Sequence, residues 1–510
     1  MHGRPWDEPV RALATAANAK APPARSRSVK TTASKLELPK GSLKARLSGA
    51  RRPSAVVELV QGADESNLQA GEVATALHRF ARVCTPKEQR RQDVQDIWAR
   101  LTTRLSALGP EVFGLRDALD VLYAHAKFEM KVKKAHDTAD ALRELVKRAI
   151  LPSVSDDATP VGRVTVFLWS LGKLMQRGGP NGRSVSPGPD ALEPAVSRVL
   201  RECQMLDGRD LSQALWSLAQ LRVPVEEEAL KQVEQRIVAL GETLTDQDAS
   251  VLLWSLADIG LPRPPNNLVL TRLEKAVGAN LANALPKGVS TTLWSFARFE
   301  HTPSAAVLEL LDAYVADTES DDAAASDRVW VSQTVSNIWW AWSKLVHRPS
   351  AAALAAMEQR TAELLPSFNN QAVANTMYAW ALMSRNRPDG TAYTPPTSLA
   401  KSAGQHAQEM IVEMTTQETA NVLFAMDTLQ LKPADRVMEH VVRRMGEFTD
   451  NEFYHVLHYF VRTGYDPGHS IVDRTTERMR SAIQSSKLAY LPFIFLKKLQ
   501  VRPFVSNLCA

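Results

Sequence analysis

Residues 211–221 read LSQALWSLAQL, and the same motif returns at residues 249–259 (ASVLLWSLADI) and 289–299 (VSTTLWSFARF). Each copy has a tryptophan at its sixth position, namely Trp216, Trp254 and Trp294. Self-similarity at a regular spacing is the sequence signature of a repeat protein. The motif therefore predicts a chain of stacked structural repeats, in which each repeat packs mainly on its neighbours.

Further copies become visible when the aromatic residue of each motif is taken as position 0. Divergent copies centre on Trp169, Trp340, Tyr378 and Phe424, and fainter ones on His78, Tyr123 and His458. Successive centres lie 45, 46, 47, 38, 40, 46, 38, 46 and 34 residues apart. These spacings indicate about ten repeats with a base period of about 38 to 40 residues. The longer spacings predict loop insertions near residues 176–190, 317–328 and 385–404.

Each repeat reads as two helices joined by a turn. Residues that favour helix N-caps stand at position −9, with Asp or Glu three residues later in most copies, which is the pattern of a capping box. Proline, which cannot continue a helix, follows the motif at positions +8 to +10, and a second apolar segment comes after it. The N-cap residues are Asp207, Thr245, Asn369, Thr415 and Thr449. The pattern predicts an all-α fold, an α-solenoid of about ten helix-turn-helix repeats.

The first helix of each repeat has two distinct faces. The position 0 aromatics share a face with small residues at −4 and +3, which favours packing in the core over stacking on nucleic-acid bases. Positions −7, −3 and +4 form a polar stripe with a small residue at +1 between them, a pattern that suits contacts with bases and phosphates. The alternative is a solvated helix face. The candidate RNA-contacting residues are Gln213, Gln220, Thr291, Arg298, Asn337, Lys344, Gln371, Asn375, Gln417 and Asn421.

The basic charge of the chain is concentrated at its N-terminus. Residues 1–53 contain twelve Lys and Arg against three acidic residues, a balance of +9, so the net +5 of the chain leaves −4 for residues 54–510. This arm has no helical or strand period and predicts a disordered basic segment. Arg- and Ser-rich leaders are typical of transit peptides, which favours a mitochondrion, with a plastid as the alternative. A basic tail that contacts RNA and an inert tail remain open.

Several function classes have no support in the sequence. The chain contains no apolar run long enough to span a bilayer, so we expect no membrane partner. Three widely spaced cysteines, Cys84, Cys203 and Cys509, argue against a disulfide framework and a zinc site. Phosphate-binding loops and hydrolase or metalloprotease motifs are missing. We therefore predict a protein that is not an enzyme, with no catalytic residues, cofactor, metal or small-molecule substrate.

The string LWSLAxLxxxP at this period resembles the octotricopeptide repeat and the related helical repeats of FAST-kinase-like and RAP-domain proteins. It is also similar to the repeat protein of the RNA-editing substrate-binding complex. The resemblance covers roughly residues 70–480 and implies an organellar RNA-binding factor in RNA processing, stability, editing, translation or ribosome assembly. A RAP domain itself is not evident, since residues 488–496 read LAYLPFIFL, as a last helix would.

Two functions follow as hypotheses. The first is a reader of single-stranded RNA that contacts about one base per repeat. The second is a protein scaffold in an organellar ribosome or RNA-processing complex, which would also use a long repeat surface. The −4 balance of the repeats weighs against the first, because phosphate contacts supply most of the affinity of RNA-binding proteins. The charge along the stripe distinguishes the two, since a basic stripe favours RNA and an acidic one favours a scaffold.

Overall fold

The structure is a computed structural model that describes residues 41–128, 135–176, 185–279, 281, 284–318, 329–385, 392–463 and 465. Within these ranges the chain forms α-helices linked by turns and short 3-10 segments, with no β-strand. The prediction of an all-α helical-repeat solenoid is confirmed, and each of the ten predicted motifs lies on a helix. The chain divides into two compact bodies, Met1–Ala284 and Leu285–Ala510.

In the N-terminal body, two short helices precede the repeats. The helices are α1 (Leu43–Gly49), α2 (Pro53–Gln61), α3 (Ala70–Val83), α4 (Gln92–Ala107), α5 (Leu115–Lys127), α6 (Ala135–Leu145), α7 (Leu151–Val154), α8 (Val161–Gln176), α9 (Pro189–Arg201), α10 (Gly208–Leu221), α11 (Glu227–Leu240), α12 (Asp246–Asp258) and α13 (Asn267–Ala279). The first helices of the repeats, α3, α5, α8, α10 and α12, pack side by side in one row. The second helices, such as α11 and α13, form a second row behind them.

The C-terminal body repeats this arrangement. Its helices are α14 (Pro286–Arg298), α15 (Ala305–Ala316), α16 (Ser332–Lys344), α17 (Ala351–Leu364), α18 (Asn370–Ser384), α19 (Thr397–Met410), α20 (Thr416–Thr428), α21 (Asp435–Arg443) and α22 (Asp450–Thr463). The first helices α14, α16, α18, α20 and α22 pack consecutively on one another. Between the two rows lie the largest buried side chains, including Trp339, Trp342 and Trp380, each fully buried.

The predicted helix starts are confirmed. The side chains of Asp207, Thr245, Asn369 and Thr415 accept hydrogen bonds from the backbone N–H three residues later. Thr245 and Thr415 form complete capping boxes, because the acidic residue at the third helical position also accepts the backbone N–H of the cap. The capping residues therefore fix where these first helices begin.

Two predicted boundaries are wrong. Helix α1 lies inside the segment 1–53 that the sequence predicted to be disordered, because Ser42 caps it and Leu47 is fully buried. The insertion predicted at 385–404 ends earlier, since α19 already begins at Thr397. The rest of the basic arm, residues 1–40, and the centres of the three insertions, 177–184, 319–328 and 386–391, lie outside the described residues. No helix of the described ranges is long and apolar enough to cross a bilayer.

A basic side chain on the second helix, or just after it, links the two helices of many of the repeats. It contacts the residue at position −10, just before the first helix of the same repeat, where a backbone carbonyl needs a donor. Arg236 donates to the carbonyl of Leu206 (2.7 Å) and Arg444 to that of Met414 (2.7 Å). The same contact joins Arg104 to Leu68, Arg198 to Thr159 and His406 to Phe368, while Arg360 lies over the Trp330 ring. This bond cannot be predicted from the repeat pattern, because the spacing of its donor from position 0 varies.

Several first helices end on a residue in the left-handed conformation, although none of these residues is glycine. Position +6 is occupied by Arg222, Glu300, Val346 and Gln430, with φ between 54° and 58°. At each site the next residue donates its N–H back to a carbonyl five residues earlier, as Val223 does to Leu218 and His347 does to Trp342. This bond pattern is the Schellman motif, which normally has glycine at the left-handed position.

We predict that Val346→Gly stabilises the protein. A β-branched side chain is strained at φ 54°, whereas glycine is not, and the Val346 side chain is 62% exposed, so little buried area is lost. The gain should be about 1 kcal/mol, measured as an increase in the urea midpoint. Val331→Gly is the matched control, because Val331 is also exposed but has an extended backbone. If both substitutions destabilised the protein equally, backbone strain at Val346 would be contradicted.

We also predict that Arg198→Met destabilises the N-terminal body by about 3 kcal/mol, because breaking a buried, hydrogen-bonded charge leaves its partners unsatisfied. Arg198 is 3% exposed, and its guanidinium donates to the carbonyls of Val154 and Asp157 and to the Glu202 carboxylate. Thermal and urea unfolding would measure the loss. Arg201→Met, on the same helix but at an exposed position, should change stability by less than about 0.5 kcal/mol. A similar loss in both variants would rule out the proposed role of Arg198.

Candidate nucleic-acid interface

The polar stripe lies on the solvent side of the first helices. In α10, Arg209 is exposed and Gln213 and Gln220 are half-buried, while the other residues from 211 to 219 are buried. The same positions are accessible in α18, where Gln371 and Asn375 are half-buried. The stripe is thus the part of the first helices that a ligand can reach.

Amides fill much of the stripe at positions −7 and −3. We call this set the amide row, and it consists of Gln213, Gln247, Gln333, Gln371, Asn375, Gln417 and Asn421. All seven side chains are at least partly exposed. An amide offers one donor and one acceptor group side by side, which suits the edge of an unstacked base.

Two predicted contact residues do not belong to this accessible set. Thr291 is 2% exposed and Asn337 is 4% exposed, so a ligand on the stripe cannot reach either side chain. Both are short side chains one helical turn before a large indole, that of Trp294 or Trp340. The sequence could not reveal the burial of these two residues. Both stand at the register of the stripe, but the exposure of a side chain also depends on the length of the side chains around it.

Cations occupy the other end of the stripe in several repeats, although Asp258 stands at position +4 of α12. We call Arg82, Lys127, Lys173, Arg298, Lys344 and Arg462 at position +4, together with Arg385 at +7, the cation row. Two members are already engaged, since Lys173 is 8% exposed and Arg462 pairs with Asp427 (2.7 Å). Gln220, a predicted contact residue, also lies at +4 and is half-buried. The accessible cations of this row are the groups that could meet phosphates.

Between the two rows lies a ladder of position 0 aromatics. Neighbouring ring centroids are 5.4 Å apart for His78 and Tyr123 and for Tyr123 and Trp169, and 5.3 Å apart for Tyr378 and Phe424. Core packing is confirmed for four rings that are 3% to 7% exposed, Trp216, Trp254, Trp294 and Phe424. Five other rings are half-buried and reach the stripe, namely His78, Tyr123, Trp169, Trp340 and Tyr378.

The small residues at +1 do not open space on the stripe, contrary to the prediction. Ser170, Ser217, Ser255 and Ser295 are each fully buried. Each hydroxyl donates to the carbonyl four residues earlier in its own helix. These serines therefore serve helix packing, because a side chain that bonds its own backbone leaves room for the neighbouring helix.

In the N-terminal body the stripe is electrostatically positive around His78. Burial and the charges of Arg82, Arg79 and Lys127 lower the pKa of His78 to about 4, so its ring stays neutral at physiological pH. Burial, together with Arg82 and Arg209, also lowers the pKa of Lys127. These cations come from three different first helices, α3, α5 and α10. Such a cluster favours an anionic ligand.

One carboxylate lies within this positive region. Burial raises the pKa of Asp120 at position −3 to about 6, against the opposing effect of Arg116. Its Oδ1 atom is 3.8 Å from Nδ1 of His78. Asp120 therefore changes charge near neutral pH, inside the surface that would face an anion.

In the C-terminal body, the described stripe residues include no carboxylate. Positions −7, −3, 0 and +4 of α14, α16, α18 and α20 contain Lys, Arg, amides, aromatics, Thr and Leu. The acidic residues of these helices lie elsewhere, with Glu418 in a capping box and Asp427 buried. Others lie on the second helices, such as Glu309 and Glu363. The net −4 of residues 54–510 therefore does not describe the stripe, which is basic.

A metal or nucleophile finds no evident place in this surface. In the part of the chain that the structure describes, no three His, Cys, Asp or Glu side chains are grouped to hold a metal ion. Burial raises the pKa of the Cys84 thiol to about 12, which keeps it protonated at neutral pH.

No protein-family model matches the sequence, and no curated protein matches it significantly. The interface is assigned from its geometry alone.

Proposed function

We propose that this chain is a non-catalytic organellar RNA-binding protein that holds single-stranded RNA along the stripe of its first helices. The observation that carries the proposal is the pairing of cations with amides on one accessible face of the C-terminal body, whose described stripe contains no carboxylate. Phosphate contacts provide affinity, and amide contacts with base edges provide sequence preference.

Single strands suit this face better than duplexes. The bases of an RNA duplex are paired and its major groove is too narrow for side chains, whereas a single strand exposes its base edges. The half-buried amides of α18 and α20, such as Asn375 and Asn421, are repeated at the same register in successive helices. Repeated polar contacts at a regular spacing match a strand that runs along the row of first helices.

A protein scaffold is the other function that the sequence predicted. The basic stripe favours a polyanion over an average protein surface. Its cations attract every phosphate of a polyanion, whereas a protein partner also presents Lys and Arg side chains, which these cations repel. Within the described residues, the exposed apolar side chains of Met205, Leu268 and Val412 stand on different helices or turns. We therefore retain a protein partner only as an outcome of the test.

The cellular setting rests on the composition of residues 1–53. Twelve basic residues and few acids are typical of a mitochondrial leader, with a plastid as the alternative. The resemblance to organellar repeat proteins supports the same compartment. RNA processing, stability, editing or translation is the proposed context of RNA binding.

The full chain should bind a randomised pool of short single-stranded RNA, measured by fluorescence anisotropy from about 50 to 200 mM salt. If the accessible cations Arg298, Lys344 and Arg385 of the C-terminal body each contact one phosphate, the logarithm of the affinity should fall against that of the salt concentration with a slope of about −2. The matched RNA duplex should bind more weakly. Absence of RNA binding at the lowest salt concentration, together with selective capture of an organellar protein, would favour the scaffold instead.

Asp120→Asn should tighten RNA binding about threefold at pH 7, because it removes a negative charge from a positive surface. Wild-type affinity should rise as the pH falls from 7 to 5, since the bound phosphate favours the protonated form of a carboxyl with a pKa of about 6. His78 stays neutral above its pKa of about 4 and adds nothing in this range. The variant should show a flat profile.

Asp117→Asn is the matched control for this measurement. Asp117 lies on the same helix and pairs with Lys44 (3.1 Å), and its charge adds to the burial that raises the Asp120 pKa. This variant should keep a pH-dependent affinity, with the change moved to a slightly lower pH. A profile that stays steep in Asp120→Asn would show that another group causes the pH dependence.

A further inference from the structure

The amide row and the cation row lie at different levels of the same helices. Seven residues separate position −3 from position +4, which corresponds to about 10 Å along a helix axis. In α18 and α20 the amides lie toward the N-terminal end, and in α14 and α16 the cations Arg298 and Lys344 are the last residues of the helix. In the C-terminal body, the two rows therefore lie at different levels of successive first helices, with the rings between them, whereas in the N-terminal body the amides are on α10 and α12 and the cations on α3, α5 and α8.

Cations of the row cover the faces of the accessible rings. The Lys344 Nζ atom lies 5.9 Å from the ring centre of Trp340 and 5.5 Å from that of Tyr378, and so bridges two repeats. Lys127 lies 6.0 Å from the accessible ring of Tyr123, and Arg385 lies 4.5 Å from the ring of Phe424, which is itself buried. These distances are those of cation–π contacts. A base could stack on such a ring only after displacing the cation.

The same contacts hold long side chains in place before any ligand arrives. An exposed lysine loses rotamer freedom when it binds, and a lysine that already rests on a ring loses less of it. Lys344 remains exposed while it lies over Trp340 and Tyr378, so its ammonium group can still donate to a phosphate. Each ring thus supports a cation that faces the solvent.

We infer that, on the C-terminal body, the sugar-phosphate backbone of a bound RNA strand follows the cation row, with the bases over the amide row. The rings act as positioning residues for the cations, and the bases do not stack on them. The inference rests on the proposed function and adds the orientation of the strand across the first helices. It assigns affinity to one row and base preference to the other.

Lys344→Met tests the backbone half of the inference, since methionine keeps much of the length and removes the charge. The salt slope should become shallower by about 0.7, the value for one phosphate contact of a single strand, and the RNA sequences selected from a pool should stay the same. Lys401→Met, an exposed lysine on the second helix α19, is the matched control and should leave the slope unchanged. Arg298→Met repeats the test in another repeat. An unchanged slope in both row variants would overturn the inference.

The double variant Gln371→Ala, Asn375→Ala tests the base half. Selection from the pool should lose its preference at one nucleotide position, while the salt slope stays at the wild-type value. Gln405→Ala, an exposed amide on α19, should change neither quantity. A weaker affinity with an unchanged sequence preference would place the amides on the backbone and overturn the inference.

A double-mutant cycle between Lys344 and Tyr378 tests the role of the ring. If the ring positions the cation, Tyr378→Leu should weaken binding in the wild-type background and have no further effect in Lys344→Met. If bases stack on the ring, Tyr378→Leu should weaken binding about tenfold in both backgrounds, which would overturn the inference. Melting temperatures of all variants confirm that each is folded.

Failure of the inference and failure of the proposed function are distinguishable. A wild-type chain that binds no single-stranded RNA at low salt contradicts the function itself. A wild-type chain that binds RNA, but whose cation variants keep the wild-type salt slope or whose amide variant keeps the wild-type sequence preference, contradicts only the orientation of the strand.

Discussion

The close approach of neighbouring first helices is the constraint on which the structure depends. Fully buried serines at position +1 bond back to their own helix, and Gly172 lies where a Cβ atom would come within 3.2 Å of the Trp216 ring. Because these positions stay small, the aromatic side chains at position 0 can fill the space between adjacent helices. The other side chains of these helices face either the second row or the solvent. Those that face the solvent form the accessible stripe.

Much of the fold was predictable because its determinants are local in sequence. The capping residues Thr245 and Thr415, the helix-ending prolines and the aromatic period each act within one or two helical turns. The basic side chain that contacts position −10 was not predictable, since its partner is a backbone carbonyl 30 or more residues away. The left-handed conformation of Val346 was not predictable either, because only glycine reliably indicates that conformation in a sequence.

The candidate interface was predictable in register but not in detail. Spacing alone placed the amides and cations on one stripe, yet the exposure of each side chain depends on its neighbours, as the burial of Thr291 and Asn337 shows. The net charge of −4 for residues 54–510, by contrast, weighed against a basic surface. It sums the acidic second helices with the basic stripe, whereas a ligand experiences only the charges within about 10 Å of its path.

The contact between the second helix and position −10 has a consequence for how such a chain can change. Since this bond lies inside a single repeat, as from Arg236 to Leu206, each repeat contains the groups that satisfy its own entry turn. A repeat with that property can be duplicated or lost as a module, and only the packing between its neighbours must be re-formed. The array can thus be lengthened or shortened over evolution without redesigning its individual parts.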